Sequence, residues 1–182
     1  LMGSGTYFAV DAAFWTDPEV VDNFTPEDKY FYLYLLTCIH GNVAGCFQIS
    51  TKQMADELGY SKETVEHLID RFVTVHKMID YSRENKEILI HKWCRHHWTK
   101  SDKYLSAVEK KISAIKTDKF REYLEVTFDL FSQSNGKDTV WIPYQYGMDT
   151  SFLSFNINNS FNREIERDRG GMGEEEETKA CD

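Results

Sequence analysis

The residues of this chain best placed to do chemistry are cations. Lys92, Arg95, Lys100, Lys103, Lys110, Lys111, Lys116, Lys119 and Arg121 crowd one segment, with Trp93, His96, His97 and Trp98 among them. Cations hold phosphates, and aromatic faces stack on unpaired bases. The alternative for the same segment is a solvated helix face whose tryptophans belong to the core. A smaller basic pair, Arg83 and Lys86, lies in the polar run Ser82-Arg83-Glu84-Asn85-Lys86. Two sets of metal-ligand residue types also occur: Cys38, His40 and Cys46, and His91, Cys94, His96 and His97. Neither has the paired C-x₂-C spacing of a zinc site. They read as buried thiols and surface histidines, so no metal and no cofactor is expected. With no G-x₄-G-K-[ST] phosphate loop and no recognisable serine or cysteine nucleophile signature, the chain is expected not to be an enzyme.

The charge distribution sharpens the picture. The 182-residue chain carries a net charge of −9, which alone argues against nucleic acid. Residues 1–91, however, hold 7 Lys+Arg against 14 Asp+Glu, a net of −7. Residues 92–121 hold 9 against 3, a net of +6, and residues 122–182 hold 5 against 13, a net of −8. A basic block between two acidic ones points to a charged partner. Four cysteines in a chain of this length form no disulfide framework, which fits a reducing cytoplasm. No apolar run approaches the roughly 20 residues that span a bilayer, so no membrane partner is expected. Leu1 to Gly5 read as a cloning scar rather than a signal peptide.

Local signals place these residues on elements. Tyr7 to Val10 is a short β-prone run, and Phe14-Trp15-Thr16-Asp17-Pro18 reads as a turn. Thr25 caps a helix with Pro26 at its first position and Glu27 and Asp28 at its positive end. Tyr30 to Leu36 is apolar all round, which predicts burial on more than one face. Gly41, Asn42 and Gly45 break that helix, and Cys46 to Ile49 alternates like a strand. Ser50 and Gln53 fit a capping box before a short helix that stops at Gly59. Ser61 then caps a longer helix whose Val65, Leu68, Ile69 and Phe72 share one face. Two helices about such a turn make a helix-turn-helix. Met78 to Tyr81 and Ile88 to Ile90 read as a hairpin about the Arg83–Lys86 tip, a wing. The fold class is therefore mostly α with a small β component: a winged helix-turn-helix over 6–98 and a helical extension over 99–155. Within the extension, one helix carries Tyr104, Leu105, Val108, Ile112 and Ile115, and the next carries Phe120, Tyr123, Leu124 and Phe131. Val140 to Pro143 looks extended, and residues 156–182 form a polar linker and acidic tail.

At this point the residues resemble a known group. Phe14-Trp15-Thr16-Asp17-Pro18, Thr25-Pro26-Glu27-Asp28-Lys29-Tyr30, Leu33-Tyr34-Leu35-Leu36-Thr37, Gly45-Cys46-Phe47-Gln48-Ile49-Ser50 and Met54-Ala55-Asp56-Glu57-Leu58-Gly59 look like the N-terminal winged-helix domain of phage and prophage replisome organisers. That group is similar to the DnaD-type primosome proteins of low-GC Gram-positive bacteria. The resemblance covers about Tyr7 to Trp98. It implies initiator or helicase-loading work at a replication origin, with self-association through the N-terminal domain. Nothing after Arg169 reads as the second, DNA-binding domain of the DnaD-type proteins.

The helix from Ser61 is unusual for a groove-reading element. Its outer surface presents Glu63, His67, Asp70 and Thr74, with Lys62, Glu66 and Arg71 beside them. Carboxylates there repel phosphates unless they read cytosine amino groups, so a protein-facing role is favoured. DNA contact is expected instead from Arg83, Lys86, Lys92, Arg95, Lys100, Lys103, Lys110 and Lys111. Self-association is expected from Tyr7, Phe8, Trp15, Tyr30 and Tyr34. The leading reading is a non-catalytic replication-initiation protein. It binds duplex origin or single-stranded DNA, forms homo-oligomers and helps recruit a replicative helicase or its loader. A winged-helix transcriptional regulator and a protein-only scaffold are the rivals, because fold does not fix function.

Overall fold

In the computed structural model, which describes residues 8–133, helices carry most of the described residues and one small antiparallel sheet lies among them. A 3₁₀ turn at Ala12–Thr16 leads into α1 (Pro18–Asn23) and α2 (Pro26–Thr37). Then come β1 (Cys46–Gln48), α3 (Thr51–Leu58), α4 (Lys62–Thr74), β2 (Ile79–Ser82) and β3 (Glu87–Ile90). The short α5 (Trp93–His97) and the longer α6 (Asp102–Ile112) and α7 (Asp118–Gln133) follow. Strand order is β1-β3-β2, with both pairings antiparallel. The two segments expected to form a hairpin do pair, Ile79 opposite Ile90 and Tyr81 opposite Ile88. No helix among the described residues is long and apolar enough to cross a membrane.

Local chemistry explains most boundaries. Thr25 Oγ1 accepts from Asp28 N at 3.2 Å, and Asp28 Oδ2 accepts from Thr25 N at 2.9 Å, a reciprocal cap closing the start of α2. Ser50 Oγ accepts from Gln53 N, and Gly59 ends α3 in the left-handed conformation at φ 74°. Ser61 Oγ caps α4 through Thr64 N at 3.1 Å. Val65, Leu68, Ile69 and Phe72 of α4 are buried, as their spacing predicts. The central strand β3 is buried along its whole length beneath the helices.

Three expectations need correction. Residues 8–10 form no strand, since neither β1 nor β2 pairs with them; Phe8 instead packs edge-on against Trp93, with ring centroids 5.5 Å apart. The turn expected through Pro18 contains a helix start, for Asp17 Oδ1 accepts from Glu19 N and Pro18 opens α1. And α2, expected to be buried on more than one face, is fully enclosed along one face only. Asp28, Phe31 and Leu35 are fully enclosed, while Tyr30 is exposed and Tyr34 half-exposed, their hydroxyls giving those positions a polar end. Val140–Pro143 and the tail lie outside the described residues.

Candidate nucleic-acid interface

Two carboxylates of the outer face of α4, Glu66 and Asp70, are held in ion pairs. Glu63, His67 and Asp70 are exposed, and Glu66 is half-buried. Lys62 Nζ lies 3.4 Å from Glu66 Oε1. Arg83, at the hairpin tip, reaches back so that one guanidinium nitrogen lies 2.9 Å from Asp70 Oδ1 and the other 3.9 Å from Glu66 Oε1. The tip arginine expected to meet phosphate thus already serves two carboxylates. Its neighbour Lys86 is exposed, with a positive φ of 54°. Arg71 turns the other way, onto the fully buried carboxylate of Asp28 at 3.0 Å, and so braces α4 against α2.

The basic segment divides into structural and displayed cations. Lys100 Nζ donates to the carbonyl oxygen of Phe131 at 2.6 Å and sits 5.0 Å from that ring's centroid, closing the carboxyl end of α7. Arg121 pairs with Asp118 and donates to Ile115 O. Lys92 takes a left-handed conformation at the start of α5. Arg95, Lys103, Lys110 and Lys111 are exposed. On α6 the lysines avoid the face that buries Val108 and Ile112. Lys103 and Lys110, seven residues apart, project from nearly the same side, about 10 Å apart along the axis. None of Lys103, Lys110 and Lys111 forms an ion pair among the described residues.

The interleaved tryptophans are core residues. Trp93 and Trp98 are buried, and both indole N–H groups donate to one acceptor, the carbonyl oxygen of Val43, at 3.1 and 2.8 Å. Trp98 also meets Phe128 and Phe131 edge-on. That burial takes both rings away from an unpaired base. His97 stacks on Trp93 at 3.8 Å, and burial, helped by neighbouring His96, lowers its pKa.

Of the residues expected to drive self-association, Trp15 is 59% exposed and Tyr30 48% exposed. Phe8 is half-buried under Trp93, Tyr34 donates to Glu57 Oε2 at 2.5 Å, and Tyr7 lies outside the described residues.

Sequence reasoning missed Glu57. The turn after α2 and the exposed side of α3 bring Cys38, His40 and Glu57 together, with one potential ligand atom from each mutually within 4.8 Å. Cys46 stays apart, buried in β1, and burial raises its thiol pKa. Burial alone would raise the Glu57 pKa, but hydrogen bonds from Tyr34 and His40 outweigh it and hold the carboxyl below its ordinary value. Burial, then the bond to Glu57, drives the Tyr34 phenol well above its usual range. Gln53 and Glu57, four apart on α3, were the available sequence signal. Comparison with family models, with curated proteins and with solved structures finds no match for the chain.

Proposed function

We propose that the chain is a winged helix-turn-helix protein of the replisome-organiser kind. In this reading it binds DNA without catalysis, self-associates, and helps a helicase or its loader assemble at a replication origin. The element order from α2 through β1, α3, α4 and the β2–β3 hairpin supports the winged-helix part. The resemblance of residues 14–59 supports the replication part. One observation carries the mode of DNA contact: Lys103, Lys110 and Lys111 of α6 are exposed and form no ion pair among the described residues, whereas the acidic outer face of α4 already holds Arg83. Phosphate contact through α6 leaves α4 to face protein, a helicase-loading partner or a second copy of the chain.

The test is a salt titration of DNA binding. On duplex, log K falls against log salt with a slope near −0.9 per phosphate contact. Replacing Lys103, Lys110 and Lys111 with alanine is expected to weaken all sequences about equally and to flatten the slope by roughly two to three units. Glu66→Gln with Asp70→Asn removes two charges from α4 and frees Arg83. With α4 facing protein, that change leaves sequence preference intact and alters self-association or partner binding. An indifferent lysine triple variant beside an α4 variant with a new sequence preference would overturn the proposal and bring the transcriptional regulator forward.

A further inference from the structure

A tight turn follows α2. Gly41 N donates to the carbonyl oxygen of Cys38 at 2.9 Å, and a side chain at Gly41 would meet that oxygen at 3.0 Å and the Phe8 ring at 3.1 Å. The turn lays Cys38 and His40 beside α3, where Gln53 and Glu57 stand one helical turn apart. His40 Nε2 then has two polar neighbours, Glu57 Oε1 at 2.7 Å and the Gln53 amide nitrogen at 3.0 Å. A proton on Nε2 satisfies the carboxylate but opposes the amide N–H. A bare nitrogen suits the amide but faces the carboxylate lone pair to lone pair. With the amide turned over, two oxygens compete for a single N–H. A cation bound between the imidazole and the carboxylate takes a lone pair from each, and the Gln53 amide, which also hydrogen-bonds Glu57, can then give its N–H to that carboxylate.

We propose that Cys38, His40 and Glu57 form a binding site for a zinc-class divalent ion that clips the turn after α2 to α3. The donor set is one sulfur, one imidazole nitrogen and one carboxylate oxygen. Zinc accepts all three, whereas magnesium and calcium favour oxygen alone. Zinc bonds of about 2.0–2.3 Å in tetrahedral array set ligand atoms about 3.4–3.6 Å apart. The three atoms already lie within 4.8 Å, so closing the site takes side-chain adjustments on the order of 1 Å. Cys38 forms the buried floor, while the side chains of His40 and Glu57 are 28% and 31% exposed and leave a path from solvent. The fourth position is open to water. The clip joins α2 to the first helix of the helix-turn-helix pair, and it stands independently of any DNA contact.

The experiment titrates chelator-stripped full chain with Co²⁺ and then Zn²⁺. One equivalent of cobalt is expected to bind, with a thiolate-to-cobalt charge-transfer band that zinc abolishes, and zinc is expected to raise the melting temperature. Cys38→Ser should remove the band. Glu57→Gln should keep it while weakening affinity at least about tenfold, the low end of what even outer-shell partners command. Cys46→Ala, Cys94→Ala and Cys181→Ala should keep both band and affinity. Circular dichroism of each metal-free variant establishes that it folds. The unmutated chain gives a readout free of variants, since zinc should slow alkylation of Cys38 relative to Cys94. Absence of a charge-transfer band in the unmutated chain, a band that survives Cys38→Ser, or alkylation of Cys38 unaffected by zinc would each overturn the site.

Discussion

Replacing Asp28 with alanine tests the joint between α2 and α4. The Asp28 carboxylate is wholly buried, and its Oδ2 accepts from Thr25 N and Thr25 Oγ1, both at 2.9 Å, and from Arg71 at 3.0 Å. Removing it deletes half of the reciprocal cap, a loss of about 1 kcal/mol. It also takes the acceptor from the Thr25 hydroxyl, a separate bond worth about another 1 kcal/mol. Taking one partner from a buried ion pair costs roughly 3–5 kcal/mol. Here Arg71 is 41% exposed and regains water, so about 1 kcal/mol is the appropriate figure for that part. The expected loss is thus about 2–4 kcal/mol, or roughly 5–15 °C in melting temperature. Asp28→Asn keeps an acceptor for Thr25 and should lose only about half as much. Urea denaturation followed by circular dichroism measures both, with an unchanged m-value confirming that the native state is the one perturbed. A double-mutant cycle with Arg71→Ala should return a coupling of about 1 kcal/mol. If Asp28→Ala unfolds within about 0.5 kcal/mol of the parent, or the coupling vanishes, the joint is not made this way.

Two further perturbations probe the seams. Gly45 has φ 76°, and a Cβ there would lie 2.3 Å from Trp93 Cγ; Gly45→Ala should cost about 3 kcal/mol or more in thermal or urea melts, and a loss under about 1 kcal/mol would contradict the packing of Trp93 on this turn. Glu87, buried in β3, accepts from Lys116 N at 2.9 Å and Thr117 N at 2.8 Å. Glu87→Ala should destabilise by about 1–3 kcal/mol and speed hydrogen exchange at those two amides, while unchanged exchange would mean the carboxylate does not hold the α6–α7 turn.

What could be read from the residues was local. The cap at Thr25, the stop at Gly59, the cap at Ser61 and the one-sided apolar spacing of α4 each depend on neighbours within a few positions. The hairpin was legible because two β-prone runs flank a polar tip. The partners of Arg71, Arg83 and Glu57 were not legible. Arg83 meets Asp70 from 13 positions away, and His40 meets Glu57 from 17, so only the packed chain brings them together. Arg71 shows the difficulty well: it sits at the margin of the exposed face of α4, and the arrival of α2 with a buried carboxylate decides which way it points. The tryptophans misled for a related reason. Trp93 and Trp98 stand among cations in sequence, yet their rings turn inward to a carbonyl contributed by the segment before β1. Helix α1 was missed through one residue, since Pro18 marks a turn and a helix start equally well.

The carbonyl of Val43 has a consequence for the order in which the molecule assembles. Its two indole donors come from residues 50 and 55 positions further along the chain. Closing a loop of about 50 residues costs roughly 3.5 kcal/mol in chain entropy from its length term alone. The caps and short-range contacts of α3 and α4 carry no such cost and can form early. The stretch around Val43, between that turn and β1, therefore gains these two bonds only after β3 and α5 have docked. Its closure belongs to the late, native-side part of folding, where weakening a contact speeds unfolding more than it slows folding.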